Sequence, residues 1–150
     1  MTAAVLGEGL AEFGRLQSVF GLVRALGGGY WLAAGIQGVI ALTVAGGLWW
    51  LWSRRAPYDL KAAALAAAAL IVTPYLYMYD LCVLAVAVAF LLRHALSRGL
   101  QMVEAAALGL VALLLLIYPY VKMQVGLAAA VVVLALIAQR IAEHMFPRTP

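Results

Sequence analysis

Formal charge is scarce in this sequence. Ten Lys or Arg and six Asp or Glu make up 11% of the 150 residues, where about a quarter is usual. A soluble domain of this size must cover a large surface with polar side chains, and so few charges cannot do it. The shortage excludes an ordinary cytosolic enzyme and a disordered tail. Cysteine is scarcer still. Cys82 stands alone, so there is no internal disulfide, no CxxC pair and no secreted disulfide scaffold. The two histidines, His94 and His144, are far apart and lie near arginines, and no Cys/His grouping suggests a metal. GxxxxGK[ST], HExxH and GxSxG are all absent, which argues against a P-loop NTPase, a zincin and a serine hydrolase. Neither a metal nor an organic cofactor is expected.

What the sequence does have is apolar surface. Hydrophobic residues make up 67% of it and the mean hydropathy is +1.05, the composition of an integral membrane protein. The net charge of +4 does not point to nucleic acid, because in such a chain Lys and Arg mainly record topology. A bilayer core of about 30 Å needs roughly 20 apolar helical residues. Residues 25–53 carry no formal charge and end in Trp49, Trp50 and Trp52, which predicts a first span over 30–52 with tryptophans at one interface. Residues 62–79 are also uncharged, and 81–92 follow after the lone Asp80. As one helix, residues 62–92 would run about 46 Å, too long for the core. Pro74 disfavours helix at Thr73, so two tight spans, 60–75 and 77–93, are expected around a turn at TPYLYMYD. Spans over 102–118 and 123–140 complete the set. The alanine run at 62–69 suits close helix packing.

Charge supports the hairpin. With five spans, Arg54, Arg55, Lys61, Arg93, Arg98, Arg140 and Arg148 fall on one side, and Arg15, Arg24 and Lys122 on the other. A single kinked helix would split the cations more evenly. The positive-inside rule then puts the first group, and the C-terminus, in the cytoplasm. The N-terminal segment differs in kind. Phe13, Leu16, Phe20 and Val23 recur at helical spacing over residues 10–26, and Arg15, Gln17, Ser18 and Arg24 fall largely elsewhere on the wheel. That pattern predicts an amphipathic helix lying in the interface, broken by Gly27-Gly28-Gly29. With no basic n-region and no cleavage site, it is not a signal peptide. An outer helix without a signal of its own suggests the later part of a longer protein. The expected architecture is all-α and polytopic: an extracytoplasmic amphipathic segment at 1–29, then a transmembrane domain at 30–150 with about five helices.

Three stretches also carry a resemblance. LQSVFGLVRALGGGYWLA (16–33), APYDLKAAALAAAALIVTPYLYMYDLCVLAVAVAFLLR (56–93) and LGLVALLLLIYPYVK (108–122) resemble the C-terminal part of bacterial family-87 glycosyltransferases. These are polytopic GT-C enzymes, similar to polyprenyl-phosphate-mannose-dependent α-1,2-mannosyltransferases. The likeness covers about residues 15–140. Its most specific part is the TPYLYMYD loop together with the arginine-bearing helix and glycine run upstream. The resemblance implies the C-terminal membrane portion of an enzyme in the bacterial inner membrane. That enzyme would pass a hexose, mannose above all, from a polyprenyl-phosphate donor to an extracytoplasmic acceptor. It also implies an essential acidic residue in an early outer loop. Nothing here corresponds to that loop, since Glu8 and Glu12 precede the matching region. The implied chain is therefore inactive alone and partnered by a missing N-terminal membrane half.

Asp80 is the sharpest candidate residue, and the weak catalytic candidate of the chain. A carboxylate between two apolar runs is expensive to bury and marks function by default. It can orient a sugar hydroxyl or act as general base; alternatively it is a helix cap in interfacial water. Tyr75, Tyr77 and Tyr79 suit sugar stacking or phosphate binding, or else form the aromatic belt of a membrane boundary. Arg15 and Arg24, and more weakly Lys122, are candidate ligands for a lipid phosphate; attraction to anionic headgroups is the competing reading. Gln17 and Ser18 suit sugar hydroxyls or water equally. Arg54, Arg55, Arg93 and Arg98 are topology anchors, and Glu104 suits the dipole at a helix start. With no adjacent aspartate pair for a metal-bound nucleotide sugar, a lipid-linked donor fits better. The alternative to an enzyme is a non-catalytic helical membrane module, or a truncated remnant, that packs against a partner. Transport would need a chain of acidic groups through the spans, which Asp80 and Glu104 do not make.

Overall fold

The computed structural model describes residues 16–117 and 125–146, and every regular element among them is helical. A short helix α1 (Val19–Ala25) leads into α2 (Tyr30–Trp52), and α3 (Tyr58–Val72) follows. A 3-10 turn (Met78–Leu81) then opens α4 (Cys82–Arg98), followed by α5 (Met102–Ile117) and α6 (Val125–Met145).

Local chemistry sets most of these limits. Ser18 caps α1, its hydroxyl accepting from Gly21 N at 3.1 Å. Past the C-terminus, Gly27 takes a φ of +88°, the left-handed conformation in which glycine has no Cβ penalty. Gly28 N donates to Val23 O at 2.8 Å and Gly27 N to Arg24 O at 3.1 Å. This is the paired closure that ends a helix at a glycine, and it accounts for the break at the glycine run. α2 then fills the expected first span from end to end. α3 stops at Val72 because Thr73, ahead of Pro74, is extended with ψ 117°.

The turn at TPYLYMYD does reverse the chain. Arg93 near the end of α4 lies 3.6 Å from Asp59 at the start of α3, and Phe90 meets Tyr58 edge-on at 6.5 Å between centroids. The hairpin's limits differ from the expected 60–75 and 77–93. Its helices are 58–72 and 82–98, separated by nine non-α residues, 73–81. The last two spans, expected at 102–118 and 123–140, contain helix over 102–117 and 125–145.

α3 is the central element, touching α2, α4 and α6, with α5 laid on α6. Its alanine run works as small residues do between membrane helices. Ala63, Ala64, Ala67 and Ala68 are all buried, and the first three share one cluster with Leu84 and Leu91 of α4 and Val133 and Ile137 of α6. Small side chains on α3 let the larger ones opposite fill the space. α2 is the opposite case: among its residues only Ala33, Gln37 and Leu51 are buried. α2 with 23 residues and α6 with 21 are long and apolar enough to cross a membrane, and α5 is a shorter apolar helix. α3, with 15 residues, is about 22 Å long at about 1.5 Å per residue.

The N-terminal segment departs from the amphipathic-helix expectation. Among the described residues its helix covers only Val19–Ala25, and Leu16, Gln17 and Ser18 are non-helical yet buried. The polar pair Gln17 and Ser18 points inward, not to the solvent side of a wheel. Leu22 and Leu26 are exposed instead.

Candidate functional site

The inward polarity has a definite cause at the end of α3. A helix leaves its last carbonyls without intrahelical donors, and Pro74 has no N–H to give. Thr73 Oγ1 donates to Ala69 O at 2.7 Å. Gln37, a lone amide side chain in the apolar α2, donates through Nε2 to Ile71 O and Val72 O, each at 2.9 Å. Its Oε1 accepts from Phe20 N at 3.1 Å. The Ser18 hydroxyl donates to Pro74 O, and Gln17 N to Leu76 O at 2.7 Å. Gln17 Oε1 accepts from Gly126 N, 2.9 Å away at the start of α6. Gln17, Ser18 and Gln37 are exposed by only 0%, 1% and 5%. A primary amide offers donors and an acceptor at once, which lets two glutamines join four chain segments without any charge.

The N-terminal segment is therefore in contact with the turn, and this contact fixes the residues the turn carries. Tyr75 packs on Phe20 at 5.5 Å between centroids, and Phe20 meets Tyr30 edge-on at 5.8 Å. Leu76 is buried while Tyr75, at 52%, and Tyr77 face outward. Asp80 is partly buried. Its Oδ2 accepts from Tyr77 N at 2.9 Å, and Asp80 N donates to Tyr77 O at 3.1 Å. That is the backward reach of a capping box, so the cap reading of Asp80 has direct geometry behind it. Its Oδ1 accepts no hydrogen bond from the described residues. Arg24, one turn beyond Phe20, donates from Nη1 to Gly28 O at 3.0 Å and so helps close α1. Arg15, Lys122 and the Tyr79 side chain lie outside the described residues.

A second polar cluster sits at the opposite end of the bundle. Glu104 and Arg140, exposed by 2% and 8%, form a two-pronged ion pair through Nε and Nη2. Arg140 Nη2 also donates to Gly99 O at 2.8 Å, and Gln101 N donates to Glu104 Oε2 at 3.0 Å. Glu143 stands 3.6 Å from Arg140 Nη1. The pair, formed between α5 and α6, holds the 99–101 turn that joins α4 to α5. Glu104 does begin its helix as expected, but Arg140, expected as a topology charge, is an internal brace. No group of three His, Cys, Asp or Glu among the described residues is placed to hold a metal.

Sequence reasoning missed Gln37 altogether and gave Gln17 and Ser18 the wrong partners. The available signal was the amide in the middle of a charge-free span, where a polar group needs a stated partner. No known protein family, curated protein or solved structure matches the chain.

Proposed function

We propose that the chain is a polytopic membrane protein in which five helices cross the bilayer, with the C-terminus in the cytoplasm. Within that class, we propose that it is the C-terminal membrane portion of a glycosyltransferase of the bacterial inner membrane. The enzyme would move a hexose, mannose by resemblance, from a polyprenyl-phosphate donor to an extracytoplasmic acceptor. Two features support the membrane reading. Gln37, Gln17, Ser18 and Thr73 satisfy the broken end of α3 from within the protein, as a chain break near hydrocarbon requires. The 53–57 and 99–101 connections, which hold or adjoin Arg54, Arg55 and Arg98, lie at the end opposite the TPYLYMYD turn.

One observation carries the catalytic assignment: the turn bearing Tyr75, Tyr77 and Asp80 is fastened by a buried uncharged network while its rings face outward. Transfer chemistry needs groups held in one geometry before the substrate arrives. Arg24, with Arg15 and Lys122, would hold the donor phosphate; Tyr75, Tyr77 and Tyr79 would pack against the sugar. Asp80 Oδ1 would accept a sugar hydroxyl while Oδ2 holds the turn. The base for the acceptor would come from the missing N-terminal half, so residues 1–150 alone should bind donor without transferring it. The exposed α2 favours a second reading, in which the chain is a non-catalytic module that packs α2 against a partner.

The test is photolabelling in proteoliposomes with a photoreactive polyprenyl-phosphate-mannose. Saturable labelling that unlabelled donor competes away, and that falls in Arg24→Ala and Asp80→Asn, is expected. Labelling that donor does not compete away would leave the module reading. Robust mannose transfer by the chain alone would move the catalytic centre into this half.

A further inference from the structure

The end of the bundle opposite the turn contains an apolar groove of about 350 Å³ between α2, α3 and α6. Leu48, Trp50, Ala64, Leu134, Ala138 and Met145 are among the side chains that line it, and nearly all of its surface is carbon. From Leu134 to Met145 it follows α6 for about 16 Å at about 1.5 Å per residue. That is close to one leaflet's share of a hydrocarbon core of about 30 Å. The end of the groove at Trp50 is basic. The guanidinium carbon of Arg54 stands 5.2 Å from the centre of the Trp50 ring, so one tryptophan both lines the groove and carries the cation. Arg55 is adjacent and exposed. Lys61 Nζ lies 5.6 Å from the Trp52 ring and donates to Arg54 O at 2.8 Å. Asp59, the carboxylate of this stretch, is turned to Arg93 at 3.6 Å. A long carbon-lined groove ending in cations, with no carboxylate paired to Arg54 or Arg55 among the described residues, has the polarity of an anionic amphiphile.

We infer, on the membrane-spanning reading proposed above, that this groove holds one acyl chain of an anionic phospholipid of the cytoplasmic leaflet, its phosphate at Arg54 and Arg55. The apolar groove supplies contact for any acyl chain, and the basic rim supplies the headgroup preference. Native mass spectrometry of the detergent-solubilised chain, with equimolar dioleoyl phosphatidylglycerol and phosphatidylcholine added, reads this directly. One phosphatidylglycerol should be retained per chain in preference to phosphatidylcholine. Arg54→Gln should reduce retention about fivefold, the size of one cation's attraction to an anionic surface. Ala138→Phe, at an exposed position, should fill the groove and reduce retention of both lipids. Arg98→Gln removes the same charge from α4, outside the groove, and should leave retention unchanged. Equal retention of the two lipids, or equal loss in Arg98→Gln and Arg54→Gln, would overturn the lipid site while leaving the membrane reading intact. A chain that stays in solution through ultracentrifugation without detergent would overturn both.

Discussion

Gln37 joins three chain segments at the turn end, α1, α2 and the end of α3. Its amide meets two carbonyls of α3 and the backbone N–H of Phe20, so an apolar replacement strands three groups at once. Leaving a buried group unsatisfied costs about 1–3 kcal/mol. Gln37→Leu should therefore lower stability by several times the effect of Thr43→Val on the same helix, since Thr43 bonds only to its own turn at Val39 O. Unfolding in mixed micelles with increasing denaturing detergent checks both. At the opposite end the pair Glu104–Arg140 behaves differently, because each member is the other's main partner. Glu104→Leu alone strands a buried guanidinium and should cost about 3–5 kcal/mol, whereas the double change Glu104→Leu/Arg140→Met should recover most of that loss. The same unfolding assay reads the cycle, and a double variant no better than the single one would assign the cost to something other than the orphaned charge.

Two acidic residues share one device at the scale of the element. Asp80 reaches back to Tyr77 N and Glu104 to Gln101 N, each three residues behind, and each opens a helix this way. The hairpin that Asp80 helps to define was legible from sequence because its determinants are local: a proline, a short charge-free run on each side, and a length that one helix cannot fit. The helix over 30–52 was legible from an equally local signal, its long charge-free run. The role of residues 16–18 was not. A helical wheel sends polar side chains outward, while the carbonyl that recruits Ser18 belongs to Pro74, 56 positions away. The Glu104–Arg140 pair spans 36 positions and was hidden likewise, each partner having a sufficient local explanation. For the hairpin, Tyr77→Cys in a Cys82→Ser background should react with a membrane-impermeant maleimide from the extracytoplasmic side. Labelling from the cytoplasm alone would reverse the topology.

Across the whole molecule, Gly126 links the last helix to the first described residues. A Cβ there would lie 2.7 Å from Leu81 Cδ1 and 3.1 Å from Gln17 Oε1, so the turn, the N-terminal segment and α6 converge on one crowded position, where any side chain must displace that of Leu81. Gly126→Val should overpack this junction, at a cost of about 1–3 kcal/mol, and loosen residues 16–18 before the hairpin core. A Leu16→Cys reporter in the Cys82→Ser background, buried in the intact protein, should become more reactive toward maleimide when Gly126→Val is added. Unchanged reactivity would show that the N-terminal segment holds without α6.

The bond between Gln17 and Gly126 also sets a clock. It closes a loop of 109 positions, which a ribosome working at about 5–20 residues per second takes about 5–20 s to synthesise. Once residues 73–81 have been made, the TPYLYMYD turn can be seated on Ser18 and Gln37, but for the rest of that interval the junction awaits a helix that has not yet been made. The tyrosine-bearing surface is thus completed only as α6 arrives, and a ribosome stalled after α5 would leave it without this anchor.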